Sequence, residues 1–226
     1  MASILGDILA FPLLLAELAL AAMGFSTGAF LRAAGSAEAQ TAALTIAFLA
    51  GVSEMLGQSV ILVVNRVALY RFLASLVFTG VTYLVTALIW TFSAIAIAPL
   101  TRVGTIDLSD TVGVMAIVSL AFAPRLLGVF SIAPYFGVAF GNVLEAWAMV
   151  LAIFGLRVAL DLPLGAAVFC GGAGWLVAYL LRTFLGHALA KPLGRLRILV
   201  SGSPLDKTPQ QIIDELVASI RDEAKR

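Results

Sequence analysis

The chain has 226 residues, of which 62% are hydrophobic and 12% charged, and its mean hydropathy is +1.07. Soluble domains are about 45–50% apolar and about 25% charged, so this composition excludes a soluble protein and predicts an integral membrane protein. The 14 basic and 13 acidic residues give a net charge of +1, which excludes a basic field for nucleic acid, and the single cysteine, Cys170, excludes an intrachain disulfide.

An apolar segment opens the chain at residues 8–31. Asp7 stands where a secretory signal would carry Lys or Arg, so we expect the segment to be retained. Pro12 and Glu17 interrupt it, and two arrangements stay open. Either the segment spans the membrane with Glu17 toward other helices, or it lies in the interface with Asp7 and Glu17 toward water.

Residues 32–40, RAAGSAEAQ, are predicted to form the first loop, and residues 41–65 to span the membrane. A lipid-facing carboxylate would have no partner, so the polar face of this span is predicted to contact other helices. That face consists of residues at helical spacing, with Ile61 as its apolar exception: Gly51, Glu54, Gln58 and Asn65, with Gly57 beside them.

A short basic loop is predicted at residues 66–71, followed by a long apolar span over residues 72–100 that stops near Pro99. Such a helix is longer than the bilayer is thick and is expected to tilt. Residues 101–110, TRVGTIDLSD, form the most hydrophilic loop before the carboxyl-terminal tail.

The next helix is predicted to begin at Thr111, with Ser109 or Asp110 as its N-cap. Pro124 falls inside this helix and is expected to kink it unless the helix ends there. The apolar run over residues 123–163 is too long for one crossing of a slab about 30 Å thick, so it must cross twice.

Pro134 is the predicted turning point of that run, because proline at the first position of a helix loses no hydrogen bond. Residues 134–158 are therefore predicted to span, and the preceding helix to end near Ser131. Residues 162–186 form the last predicted span. Its CGGAG run favours close approach of a neighbouring backbone, with a flexible bend as the alternative.

Residues 1–190 are predicted to form the membrane bundle, and residues 191–226 a cytoplasmic tail. Thr208 as N-cap and Pro209 at the first position predict an amphipathic helix over residues 208–224. Its apolar stripe is expected to dock on a partner or on the protein's own cytoplasmic face, and consists of Ile212, Ile213, Leu216, Val217 and Ile220.

Basic residues of short loops face the cytoplasm. The loop at 66–71 and the basic stretch at 191–197 are therefore predicted to lie inside, with the carboxyl terminus. The loop at 101–110 then lies outside, and the amino terminus is cytoplasmic with six spans and outside with five.

No catalytic grouping or cofactor site is evident, because one His and one Cys cannot supply a multi-ligand metal centre. His187, at the end of the last span, favours an interfacial structural role over a pigment or metal ligand. The polar residues predicted inside the membrane are Glu54, Gln58, Arg125, Asn142 and Glu145.

Unpaired charge at that depth is costly, so Arg125 is expected to pair with Glu145 or Glu54. Two roles are open for these groups. They form a structural lock that holds helices together, or they line a proton, ion or substrate pathway. We favour the lock, because the sequence shows no broken-helix pair and no inverted repeat.

Residues 112–184 contain a proline-bearing helix (LAFAPRLLG), a Pro and Gly turn (IAPYFG) and a Trp-containing helix ending in Gly-Leu-Arg (LEAWAMVLAIFGLR). This order resembles the Ypt-interacting protein (YIP) family, particularly its prokaryotic members. The matching residues are Pro124, Pro134, Gly137, Trp147, Gly155 and Arg157.

The resemblance implies five spans and a non-enzymatic, all-helical membrane protein that organises the membrane or binds other proteins. Eukaryotic members carry a long hydrophilic amino-terminal region that is used with small GTPases. This chain begins almost at once with apolar residues, so GTPase partners are not implied.

We therefore expect an all-α polytopic bundle of five to six spans with a short carboxyl-terminal amphipathic helix. The expected function is a non-enzymatic scaffold, assembly or accessory subunit in a bacterial-type cytoplasmic or thylakoid membrane. The alternative is a small transporter or channel that uses Glu54, Arg125 and Glu145. Expected partners are the lipid bilayer and other membrane proteins, and a homo-oligomer is left open.

Overall fold

The computed structural model describes residues 2–57, 69–101, 111–132 and 136–180. Within these residues every regular element is helical and no strand occurs. The predicted tail with its helix at 208–224 and its docking stripe lies outside them, as do Gln58, Asn65 and His187.

The α-helices of this part of the chain are α1 (Ala2–Met23), α2 (Thr27–Gly35), α3 (Ala37–Gly57), α4 (Leu69–Ile97), α5 (Thr111–Leu120) and α6 (Phe136–Ala159), followed by α7 (Leu164–Leu180). Two 3-10 segments follow α4 and α5, at Ala98–Thr101 and Ala123–Ile132. We call the second one the proline segment, because Pro124 is its second residue.

Four helical stretches among the described residues are long and apolar enough to cross a membrane: Ala37–Gly57, Phe72–Leu100, Thr111–Ser131 and Gly137–Ala159. Each has 21 residues or more, and at about 1.5 Å of rise per residue each reaches the thickness of the hydrocarbon core. The predicted all-α fold with membrane-length helices is thereby confirmed for the described residues. The shorter apolar helices, Ala10–Met23 and Leu164–Leu180, leave the count of five to six spans a prediction.

The opening apolar segment is divided between two helices. α1 ends at Met23, Phe25 takes a left-handed conformation (φ 58°), and α2 starts at Thr27. Glu17 of α1 accepts a hydrogen bond from Arg32 of α2 at 2.7 Å, and both side chains are largely exposed. Glu17 is thus paired on the surface, and the choice between a spanning and an interfacial segment stays open.

The predicted loop over residues 32–40 is wrong. α2 continues to Gly35 and α3 begins at Ala37, so only Ser36 interrupts the helices, with an extended conformation (φ −115°, ψ 122°). The segment is rich in alanine, the strongest helix former, and its Ala33 and Ala39 are buried in the core. The predicted loop at 66–71 is also too long, because α4 already begins at Leu69.

α3 is in contact with α1, α2, α4, α5 and the proline segment. A Cβ atom on Gly51 would lie 2.7 Å from the Thr79 carbonyl oxygen of α4, and one on Gly57 would overlap the Gly128 carbonyl oxygen of the proline segment. Small residues allow this close approach of backbones. The predicted small and polar face of this helix therefore contacts protein at both glycines.

The α-helical geometry of α5 ends at Leu120, four residues before Pro124. In an α-helix the N–H of residue 124 would donate to the carbonyl of Leu120. Proline has no N–H to donate, and its ring clashes with the carbonyl four residues earlier. The chain continues in 3-10 geometry over Ala123–Ile132, where the N–H of Arg125 donates to Phe122 O at 2.9 Å. The α-helix therefore stops near the proline, but the helical path continues to the predicted end near Ser131.

α6 runs from Phe136 to Ala159, close to the predicted 134–158. α7 packs against its neighbours through the CGGAG run. A Cβ atom on Gly171 would lie 2.7 Å from Ile153 Cγ1, and one on Gly174 would lie 2.6 Å from Trp90 Cδ1. Trp90 Nε1 also donates to Gly171 O at 3.0 Å. The predicted close approach is confirmed at these two glycines.

Candidate functional site

Arg125 lies at the centre of a charged cluster that joins three helices. Its Nη1 donates to Glu54 Oε2 of α3 and to the Tyr83 hydroxyl of α4, both at 2.9 Å. Its Nη2 donates to Glu145 Oε2 of α6. We call Arg125, Glu54 and Glu145 the Arg125 cluster. One guanidinium on the proline segment thus contacts α3, α4 and α6.

The proline segment is held against α3 by the hydroxyl of Ser53. Ser53 Oγ donates to Leu126 O at 2.6 Å and accepts from the N–H of Val129 at 3.0 Å. These backbone groups belong to the turn that directly follows Arg125. On the same face, a Cβ atom on Gly128 would lie 3.1 Å from Glu54 Cα. Ser53 and Gly128 therefore fix the distance between the Arg125 backbone and the Glu54 carboxylate.

Two aromatic residues, Tyr83 and Trp175, donate to or accept from the charged groups of the cluster, and neither was predicted from the sequence as a site residue. Trp175 Nε1 of α7 donates to Glu145 Oε1 at 3.2 Å, and its ring stacks on Tyr179 with centroids 5.4 Å apart. The Arg125 guanidinium also lies 5.8 Å from the centroid of the Tyr83 ring, within the range of a cation–π contact. α7 is thereby connected to the cluster through Glu145.

The cluster is buried unevenly. The side chain of Arg125 is 10% exposed, that of Glu54 27% and that of Glu145 38%. Breaking a buried ion pair by removing one partner costs about 3–5 kcal/mol, because a buried charge is left uncompensated. Arg125 is the most buried of the three and is shared by both carboxylates, so its loss is the most damaging single change here.

A cavity adjoins the cluster between α4, α6, α7 and the chain from Phe122 to Arg125. Its volume open to the centres of water molecules is about 30 Å³, compared with the ~10–15 Å³ that one water needs. We call it the aromatic cavity after its principal lining residues: Tyr83, Trp90, Phe122, Trp175 and Tyr179, together with Arg125 and Glu145. The structure therefore leaves room for a small group beside the Glu145 carboxylate.

The structure brings together Glu54, Arg125 and Glu145 from the predicted intramembrane set. Asn142 belongs to the same prediction but is exposed on α6, and the groups that receive hydrogen bonds from Arg125 do not include it. Although Asn142 precedes Glu145 by nearly one helical turn, its side chain lies on the exposed side of α6. Gln58 and the docking residues of the tail lie outside the described residues.

Among the described residues no group of three or more His, Cys, Asp or Glu side chains could hold a metal ion. Arg125 Nε is buried and has no hydrogen-bond partner among them.

No family model, no curated protein and no solved structure matches the chain. The resemblance to the YIP family thus stays a prediction.

Proposed function

We propose that the protein is a non-enzymatic integral membrane scaffold, assembly or accessory subunit, whose Arg125 cluster locks the helices into a rigid body that binds other membrane proteins. The observation that carries this proposal is the position of Arg125, which is nearly buried and donates to groups on three different helices. A lock requires mutual pairing of this kind. A pathway requires charges that can exchange partners.

On this proposal, α1 and α7 complete a bundle of five or six spans of the YIP-like type in a bacterial-type cytoplasmic or thylakoid membrane. The carboxyl terminus is cytoplasmic, because the basic stretch at 191–197 follows the last span. The tail helix at 208–224 then presents its apolar stripe to a partner or to the cytoplasmic face of the bundle.

The proposal is tested by purifying the full chain from its native membrane and identifying by mass spectrometry what accompanies it. Ile213→Lys with Leu216→Lys disrupts the apolar stripe, while Glu215→Lys changes charge on the polar side as a matched control. We expect a defined complex that is retained in the control and lost in the double variant. A wild-type protein that purifies without any membrane protein at stoichiometric amounts contradicts the scaffold.

The second candidate is a small transporter or channel that uses the Arg125 cluster. The observation that favours it is the aromatic cavity, which reaches Arg125 and Glu145. The test is ion and proton flux in proteoliposomes with the wild type, Glu54→Gln and Glu145→Gln. Flux that is present in the wild type and lost in folded variants supports transport and defeats the scaffold.

A further inference from the structure

The aromatic cavity combines ring surfaces with one partly exposed carboxylate. Phe122 packs edge-on against both Tyr83 and Trp90, with centroids 5.2 and 5.9 Å apart. The stacked rings of Trp175 and Tyr179 form a further wall. Aromatic rings have a negative face, so a cavity lined by them favours a cation over an anion.

The charges beside the cavity favour a cation as well. The cavity lining contains one carboxylate, that of Glu145, and one guanidinium, that of Arg125. Both Nη atoms of Arg125 are already engaged with oxygen atoms. Glu145 is the most exposed member and lines the cavity. The negative charge that a ligand meets is therefore that of Glu145.

The lining also distinguishes between kinds of cation. Ca²⁺ takes six to eight oxygen ligands, and Mg²⁺ is bound through octahedral oxygens. The oxygen-bearing side chains in the lining are those of Tyr83, Thr86, Glu145 and Tyr179, and the Thr86 hydroxyl already donates to Thr82 O at 2.8 Å. An ammonium group needs one carboxylate, and its carbon atoms can rest on the rings.

We propose that the aromatic cavity binds a small alkylammonium group, with the nitrogen against Glu145 and the carbons against Trp175 and Tyr179. The free space of about 30 Å³ corresponds to roughly two or three waters, which suits an ammonium carrying one or two carbons. Such a group is available as a free amine or as the head group of an aminophospholipid. This site is independent of the scaffold proposal.

The test uses the full chain in nanodiscs of phosphatidylglycerol, which contains no amine, and titrates methylammonium chloride against sodium chloride at constant ionic strength. Binding is measured by tryptophan fluorescence and by calorimetry. We expect a saturable response to methylammonium that sodium does not reproduce. A wild-type protein with no saturable response, or with the same response to sodium, overturns the proposal.

Variants place the ligand in the cavity. Glu145→Gln keeps the shape of the side chain and an acceptor for Trp175, and we expect at least tenfold weaker binding. Tyr179→Leu removes one aromatic ring of the cavity, and we expect at least threefold weaker binding. Because Tyr179 is half exposed, this variant is expected to fold and tests the site even if Glu145→Gln does not fold. Phe169→Leu is the control, because Phe169 is equally exposed on the same helix but does not line the cavity. Unchanged binding in folded Glu145→Gln or in Tyr179→Leu overturns the proposal.

Nanodiscs of phosphatidylethanolamine distinguish the two sources of the group. If methylammonium binds more weakly in them than in phosphatidylglycerol, the lipid head group competes for the cavity and is its occupant. If binding is equal in both, the site takes a free amine. Both results support an alkylammonium site.

Discussion

Replacing Ser53 with alanine should weaken the protein far more than an ordinary serine substitution. Its hydroxyl contacts two backbone groups of the proline segment, Leu126 O at 2.6 Å and the N–H of Val129 at 3.0 Å. Both groups lose the Ser53 hydroxyl in Ser53→Ala, and each of the two partly buried hydrogen bonds contributes about 0.5–1.5 kcal/mol. The expected loss of unfolding free energy is therefore about 1–3 kcal/mol for the two hydrogen bonds together.

Ser93→Ala is the matched control. Ser93 Oγ donates to Ile89 O within its own helix, where the carbonyl keeps its backbone hydrogen bond, so we expect a change within about 0.5 kcal/mol. The assay is reversible unfolding of the full chain in mixed micelles with increasing sodium dodecyl sulfate. If the two serine variants unfold at the same point, the hydroxyl of Ser53 does not hold the proline segment and the reasoning is wrong.

Four further substitutions are tested by the same unfolding assay. Gly57→Ala places a Cβ atom against a carbonyl oxygen of the proline segment and should destabilise the protein by about 1–3 kcal/mol. Its control is Gly141→Ala, whose Cβ atom meets nothing within 4 Å and which should stabilise the protein by several tenths of a kcal/mol. Equal effects of the two substitutions would show that the close contact at Gly57 is absent. Trp90→Phe removes the hydrogen bond to Gly171 O and should cost about 1 kcal/mol, and an unchanged midpoint would argue against that bond. Glu17→Gln breaks a largely exposed ion pair, so its effect should stay within about 1 kcal/mol, and a larger loss would place the pair out of water.

The sequence predicted the helices best where the bilayer itself sets their length. The span at 72–100 coincides with the stretch Phe72–Leu100, because an uninterrupted apolar run of this length has only one stable form in lipid. The loop at 32–40 failed for the opposite reason. The polar residues of this segment suggested an exposed loop. The high helix propensity of alanine and the burial of Ala33 and Ala39 instead extend α2 and α3 until only one residue separates them.

The Arg125 cluster was predictable in part. A cation deep in an apolar run must find an anion, and that rule alone led to Glu54 and Glu145. The rule does not say which other side chains surround the pair, because that depends on the rotation of each helix about its axis. Tyr83 and Trp175 were missed for this reason, and Asn142 was included although it is exposed on α6.

The most direct test of the lock is a double-mutant cycle between Arg125 and Glu54, with Arg125→Met, Glu54→Gln and the double variant compared with wild type by unfolding free energy. Because the two side chains are joined at 2.9 Å, we expect a coupling energy of about 1–3 kcal/mol. We also expect the double variant to be more stable than Arg125→Met alone, since the carboxylate charge that faced Arg125 is removed together with the guanidinium. Additive effects within about 0.3 kcal/mol would contradict the claim that Arg125 holds the helices together.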